Sequence, residues 1–162
     1  MTKSVKAIPE GFHTVTPYLV QRDAKRALEF YRKAFGAETR VNMPGPDGRV
    51  MHAEIKIGDS IVFVSDEYPE MMPGIKSPQS AGVATSSTFL YVQDADAVFN
   101  KAVEAGAKVL MPVSDMFWGD RYGKVIDPFG HHWGIATHKE DLTPDQMEKR
   151  RIEFEKKMGQ KT

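Results

Sequence analysis

The sequence lacks the features of several large protein classes. It has no cysteine among its 162 residues, which excludes disulfides and thiolate metal sites and favours a reducing compartment. No stretch approaches the roughly eighteen apolar residues of a membrane-spanning helix, and residues 1–11 lack the apolar core of a signal peptide. Its 22 basic and 22 acidic residues give a formal net charge of zero, so no overall field attracts nucleic acid or an anionic membrane. We expect a cytoplasmic protein with neither nucleic acid nor a membrane as its partner.

Signatures of phosphate binding and of nucleophilic catalysis are also missing. Neither the Walker sequence nor G-x-G-x-x-G occurs, and GPDG at residues 45–48 is better explained as a hairpin turn. Ser65, Ser86 and Ser87 stand outside any G-x-S-x-G elbow. The glycines are therefore expected to shape turns, and catalysis by serine is disfavoured.

One order of elements occurs twice along the chain. Asp23 and Gly36 bound a helix predicted over residues 23–35, and Asp94 and Gly106 bound a second helix. Alternating apolar residues predict one strand before each helix and three after it. The predicted strands cover residues 12–20, 38–43, 50–57 and 61–65, and then 85–92, 108–113, 122–126 and 132–137.

The two β-α-β-β-β units also share sequence. YLVQRDAKRALEFYRKAFGAETRV from Tyr18 aligns with LYVQDADAVFNKAVEAGAKVLM from Leu90 with one deletion near Arg22, which indicates duplication of one unit. A capping box begins at Thr143 and predicts a charged C-terminal helix. The predicted divisions are an N-terminal arm at 1–11, a first module at 12–67, a linker at 68–84, a second module at 85–138 and a helix or tail at 139–162.

Metal binding is one possible chemistry of the polar residues. His52 and Glu54 are two apart on a predicted strand and would face the same way, although a solvent-facing register explains them as well. His131 and His132 are adjacent and point to opposite sides, so at most one of them joins a given site. The histidines and the nearby carboxylate that enter this set are His13, His52, Glu54, His131, His132 and His138.

Aromatic residues suggest a ligand pocket instead. Arg121, Asp120 and His132 are its possible polar contacts, and Arg121 near Trp118 needs a partner or solvent. Core packing is the alternative role for each ring. The aromatic candidates are Phe63, Phe89, Tyr91, Phe117, Trp118 and Tyr122.

Taken together, the repeated units and three local sequences resemble the vicinal oxygen chelate superfamily. The sequences are ALEFYRKAFGAE, MHAEIKIGDSIVFVSDE and FWGDRYGKVIDPFGHHWGI. This superfamily includes glyoxalase I, bleomycin-resistance proteins and extradiol dioxygenases, and the likeness is strongest to the glyoxalase-like proteins related to those of phosphonate operons. It covers residues 12–138 and implies an α+β fold in which two tandem βαβββ modules form a curved sheet around a central cavity, followed by a C-terminal helix.

The resemblance also locates the metal-ligand positions of the superfamily's enzymes. They fall at Val15 or Thr16 and at Phe63 in the first module, and at Ser87 and Gly134 in the second. None is the usual His, Gln or Glu. Glyoxalase and extradiol dioxygenase chemistry need the Lewis acidity of a metal ion, so the resemblance implies the fold more than those reactions.

Two hypotheses follow from the resemblance. The first is a metal-free homodimer, without a cofactor, that binds an aromatic ligand or drug as bleomycin-resistance proteins do. The second is a glyoxalase-type lyase or isomerase that uses a divalent metal at unusual ligands such as His52, Glu54 and His132, or acid–base catalysis by His132 and Asp120. The expected ligand-binding residues of the first hypothesis are Phe63, Ser87, Phe89, Trp118, Arg121, Tyr122 and His132.

Overall fold

The computed structural model describes residues 5–159, and its elements follow the predicted order. The parts of the predicted arm and tail before residue 5 and after residue 159 lie outside the described residues. The α+β fold with two βαβββ modules and a C-terminal helix is confirmed. The strands are β1 (Tyr18–Gln21), β2 (Glu38–Pro44), β3 (Val50–Ile57), β4 (Ser60–Asp66), β5 (Ser87–Tyr91), β6 (Lys108–Asp115), β7 (Asp120–Ile126) and β8 (His132–His138), and the helices are α1 (Ala24–Phe35), α2 (Pro78–Ala81), α3 (Ala95–Glu104) and α4 (Pro144–Gly159).

Each module folds its four strands into a sheet of its own with the same topology. The strand orders are β1-β4-β3-β2 and β5-β8-β7-β6, with the first pair of each sheet parallel and the others antiparallel. Tyr18 faces Phe63 in the first sheet and Phe89 faces Gly134 in the second. From these strands to the capping residues Asp23 and Asp94 the two modules therefore keep the same spacing, and the deletion expected near Arg22 is wrong.

The predicted helix caps form as the sequence indicates. The Asp23 carboxylate accepts a hydrogen bond from the Arg26 amide at 3.1 Å, and the Asp94 carboxylate accepts one from the Ala97 amide at 2.9 Å. At the end of α1, Gly36 has a φ of 66°, a left-handed conformation that glycine adopts without a steric penalty. These local interactions fix both helices of the repeat.

Two elements differ from the prediction. The strand predicted from Phe12 begins only at Tyr18, because Pro17 has no N–H for a ladder and contributes only its carbonyl, which accepts from the Phe63 amide at 2.9 Å. The linker contains the short helix α2, which the sequence analysis missed. Its signals are Ser77 as the N-cap, Pro78 at the first helical position and Gly82 after the end.

The two modules share one apolar core. Helices α1 and α3 pack against each other, and Tyr31 of α1 lies over Trp133 of β8 with ring centroids 5.3 Å apart. Because the helices cover one face of each sheet, the opposite face is open to solvent within one chain; we call it the outer face. Among residues 5–159 no helix is long and apolar enough to cross a membrane.

Candidate functional site

The outer face of the second sheet carries a cluster of aromatic rings, which we call the aromatic face: Phe89, Tyr91, Trp118 and Tyr122. Phe89 and Tyr122 stack with centroids 5.4 Å apart and ring planes only 5° from parallel. Trp118 lies 5.8 Å from Tyr122, and Tyr91 lies 5.0 Å from Phe89. Phe89 is 46% exposed, so these rings form an open surface and not a sealed core. Burial raises the pKa of the Tyr122 phenol.

The stacked rings lie over Gly134 of β8. A Cβ placed on Gly134 would come within 2.8 Å of the Phe89 ring and 3.0 Å of the Tyr122 ring. Such distances are shorter than van der Waals contact, so only glycine allows the rings this close to the strand. The position at which metal enzymes of the resembled superfamily carry a ligand is therefore covered by an aromatic pair.

Asp120 connects several side chains of this face. It is 3% exposed, and its Oδ2 accepts hydrogen bonds from the Tyr91 hydroxyl and the Trp118 indole, each at 3.0 Å. Its Oδ1 lies 2.7 Å from Nδ1 of His138, which is the neighbouring residue across the β7–β8 pair. Asp120 thus has no partnership with His132, with which the sequence analysis had grouped it. The hydrogen bond to Asp120 raises the pKa of Tyr91.

His132 lies at the other end of β8. Its backbone faces Ser87 of β5, whose hydroxyl donates to the His132 carbonyl at 3.3 Å. His131 next to it contacts the first module instead, with Nε2 3.1 Å from the Val20 carbonyl oxygen. Burial lowers the pKa of His131.

Arg121 is separated from the aromatic face. It lies between Asp120 and Tyr122 on β7, and alternate residues of a strand point to opposite faces. Its guanidinium bonds both carboxylate oxygens of Asp96 on α3, at 2.5 and 2.7 Å, and also Asp115 at 3.1 Å. The structure therefore does not bring Arg121 together with the other residues expected to contact a ligand.

Phe63 belongs to a different cluster on the outer face of the first sheet. It contacts Tyr18 at 5.7 Å, His52 at 4.8 Å and Phe12 of the N-terminal segment at 5.8 Å between ring centroids. Glu54 shares this face, 3.6 Å from Nε2 of His52. The expected joint cavity of Phe63, Phe89, Trp118 and Tyr122 is thus not assembled within one chain.

Two cavities border the outer faces. One of about 550 Å³ lies between the N-terminal segment and the first sheet, and Thr16, Glu54 and Phe63 are among its lining residues. The other, of about 740 Å³, is a cleft between the modules that Phe89 and Tyr91 help to line. Neither is lined by Trp118 or Tyr122.

The four carried-over ligand positions do not fit a divalent ion. The shared register makes Thr16 the counterpart of Ser87, so the set is Thr16, Phe63, Ser87 and Gly134. It offers two neutral hydroxyls, one ring and no fourth side chain, whereas ions such as zinc, nickel and iron are held in proteins mainly by imidazole, carboxylate or thiolate ligands. Within residues 5–159 no group of three or more His, Asp or Glu side chains is placed to hold a metal.

A buried polar network joins the modules behind this site, and the sequence analysis missed it. Tyr31 of the first module and Trp133 of the second both donate to Oδ2 of Asp127 at 3.0 Å. Gln21 donates to the Tyr31 hydroxyl at 2.9 Å. Burial raises the pKa of Tyr31 well above its ordinary value. The network fixes β8, and with it Gly134, relative to the first module.

Comparison with known proteins identifies several relatives. The sequence matches the Glyoxalase/Bleomycin resistance protein/Dioxygenase superfamily over residues 11–135. It is 41% identical over 135 residues to the uncharacterized protein Mb0911c of Mycobacterium bovis, and the aligned region covers 83% of this chain and 89% of that protein. TioX from Micromonospora sp. ML1 has a similar structure, with a TM-score of 0.61 and 27% identity over 78% of this chain and 98% of that one. The PhnB protein of Bacillus cereus, with a TM-score of 0.60 and 20% identity over 77% and 99% of the two chains, shows the same fold.

Proposed function

The chain belongs to the glyoxalase/bleomycin resistance protein/dioxygenase superfamily, and from that premise we propose that it is a metal-free protein that binds a planar aromatic small molecule. The resemblance to this superfamily is confirmed. The observation that carries the proposal is the open stack of Phe89 and Tyr122 over Gly134, at a position where a metal enzyme needs a ligand.

The geometry of the aromatic face suits a flat ligand. Phe89 and Tyr122 present parallel rings, and planar molecules bind such rings by offset stacking. Trp118 and Tyr91 are held by Asp120 through their polar ends, so their apolar surfaces are preoriented. Preorientation lowers the entropy cost of binding. A planar ligand would therefore bury apolar area against rings that are already oriented to receive it.

We further propose that the protein acts as a homodimer. Val15 is 80% exposed and Tyr91 is 66% exposed, and they lie beside or on the edge strands β1 and β5. Exposed apolar groups on unpaired strand edges are typical of interfaces. A second copy that covers the outer faces would enclose the aromatic face and complete a cavity.

A ligand screen tests the proposal. Aromatic antibiotics and metabolites are titrated while tryptophan fluorescence and melting temperature are recorded, and sedimentation measures the oligomeric state. We expect at least one compound to quench fluorescence and raise the melting temperature, and Phe89→Ala to weaken that response. Val109→Ala is the control, because Val109 is 47% exposed and lies on β6, outside the aromatic face. A panel that changes neither signal would contradict the proposal.

The rival function is a glyoxalase-type lyase or isomerase with a metal at unusual ligands. The observation in its favour is the pair His52 and Glu54 on one outer face. Elemental analysis of protein purified without a histidine tag separates the two functions. Near-stoichiometric zinc, nickel or iron that is lost in the double variant His52→Ala/Glu54→Ala would favour the rival.

A further inference from the structure

His138 and Asp120 form an oriented pair at one end of the aromatic face. Residues 132, 134, 136 and 138 share a face of β8, because strand residues two apart point the same way. His132 and His138 therefore stand at the two ends of a floor made of the small residues Gly134 and Ala136. His138 is beside Asp120, whose other carboxylate oxygen holds Tyr91 and Trp118.

Asp120 determines how His138 presents its ring. The carboxylate is an acceptor only, so Nδ1 of His138 donates the 2.7 Å hydrogen bond. Nε2 then points away from the buried carboxylate. Since Asp120 is 3% exposed and held by two further donors, the imidazole has a fixed orientation although half of its surface is open.

A carboxylate already occupies the open side of the ring. Oδ1 of Asp141 lies 3.0 Å from Nε2 of His138. Both ring nitrogens thus face acceptors, and the hydrogen bond to Asp120 and then that to Asp141 raise the pKa of His138, which favours the imidazolium. The Asp141 side chain is fully exposed, and a solvent-screened pair of this kind contributes little, so it exchanges readily.

We propose that His138 anchors an acidic group of the ligand, and that a ligand carboxylate takes the place of Asp141 on Nε2 while its aromatic ring lies against Trp118 and Tyr122. This inference rests on the proposed binding function and identifies its ligand class as aromatic carboxylic acids. The ligand carboxylate replaces Asp141 as the acceptor of the hydrogen bond from Nε2, and the new hydrogen bond is charge-assisted.

The protonation of His138 depends on the groups that face its ring. Asp120 and Asp141 face the two ring nitrogens, and Tyr91 lies behind Asp120. Glu140 in the adjoining segment is paired with Arg150 of α4 at 2.6 Å. Binding of a carboxylate should therefore follow the protonation of His138 and decline as the pH rises through its raised pKa.

The test compares naphthoate with its neutral amide, naphthamide, as probes of the full-length protein. Binding is followed by nuclear magnetic resonance at the Trp118 indole and the His138 ring, at about pH 6, where a histidine of raised pKa is protonated. We expect naphthoate to bind at least about tenfold more tightly than the amide, as charged hydrogen bonds usually give. His138→Gln should remove that preference, whereas Val109→Ala, on β6 and outside the aromatic face, should leave it intact.

Asp141→Asn provides a second, independent readout. It removes the internal competitor, so naphthoate should bind about two- to fivefold more tightly while naphthamide is unaffected. A purely structural role of the His138–Asp141 contact predicts no gain. Equal binding of both probes in every variant would refute the anchor but leave the aromatic binding function standing, whereas binding of neither probe, together with a negative ligand screen, would remove both.

Discussion

Removal of the Tyr31 hydroxyl is the most direct test of how the two modules are held together. It donates to Asp127 at 3.0 Å and accepts from Gln21 at 2.9 Å. Tyr31 belongs to α1 of the first module, and Asp127 lies in the turn between β7 and β8 of the second. Tyr31→Phe removes this oxygen with almost no change in shape.

The expected loss of stability follows from the partners. Hydrogen bonds to charged groups contribute about 1.5–3 kcal/mol. Trp133 and the amides of Phe129 and His131 still donate to Asp127 in the variant, so its charge keeps three partners. We therefore expect the free energy of unfolding to decrease by about 2 kcal/mol, which lowers the melting temperature of a domain of this size by about 4–8 °C.

Urea unfolding of Tyr31→Phe and Tyr68→Phe measures the effect against a matched control. The Tyr68 hydroxyl is buried and has no hydrogen-bond partner within residues 5–159. Its removal should be neutral or stabilising, because a buried hydroxyl without a partner carries a desolvation cost. Equal changes in the two variants, or a decrease below about 0.5 kcal/mol for Tyr31→Phe, would refute the assigned role of the network.

Two further predictions concern titration and the C-terminal segment. In a histidine titration by nuclear magnetic resonance, the pKa of His138 should lie above its ordinary value and that of His131 below it, so the reverse order would contradict both environments. The stability that His138 contributes to the fold should be lost as the pH rises through its raised pKa. The stability that His131 contributes should be lost as the pH falls from the ordinary histidine pKa toward its lowered pKa. Gly119→Ala should release the segment after His138, because Gly119 has a φ of 98° and an added Cβ would collide with the Glu140 carbonyl. We expect a loss of about 1–3 kcal/mol and faster proteolysis after residue 138, and unchanged proteolysis would be inconsistent with that contact.

The helices and most strand positions could be predicted because their signals are local. A capping aspartate, a period of three to four residues and a terminal glycine fix α1 without reference to the rest of the chain. The bounds of β3 follow in the same way from the alternation of apolar and polar residues between two turns. Met51 departs from this alternation, since a bulge opposite Pro44 leaves it 39% exposed while Val50 is buried.

The partners of the polar residues could not be predicted by nearness in sequence. Arg121 adjoins Asp120, yet strand alternation sends it to the opposite face, where Asp96 binds it. The Asp120–His138 pair could have been predicted from the hairpin. Ile126 pairs with His132 next to the turn, and the pairing continues without a shift along both strands until Asp120 pairs with His138. The contact between Asp127 and Tyr31 has no such signal, because Tyr31 belongs to the other module and lies 96 positions away in the sequence.

Divergence between the repeated modules supports a function for their outer faces. Phe63 and Gly134 occupy equivalent positions, and so do Glu54 and Lys124, which pair with them on β3 and β7. The two modules thus share their core and helix caps. On the outer face, however, the second module has Gly134 in place of the ring of Phe63 and the base Lys124 in place of the acid Glu54. Core packing alone does not require these changes, since the residues lie on the face away from the helices. Two surfaces complementary in size and charge are what opposed faces of a homodimer need, so this divergence supports the proposed homodimer and its enclosed aromatic cavity.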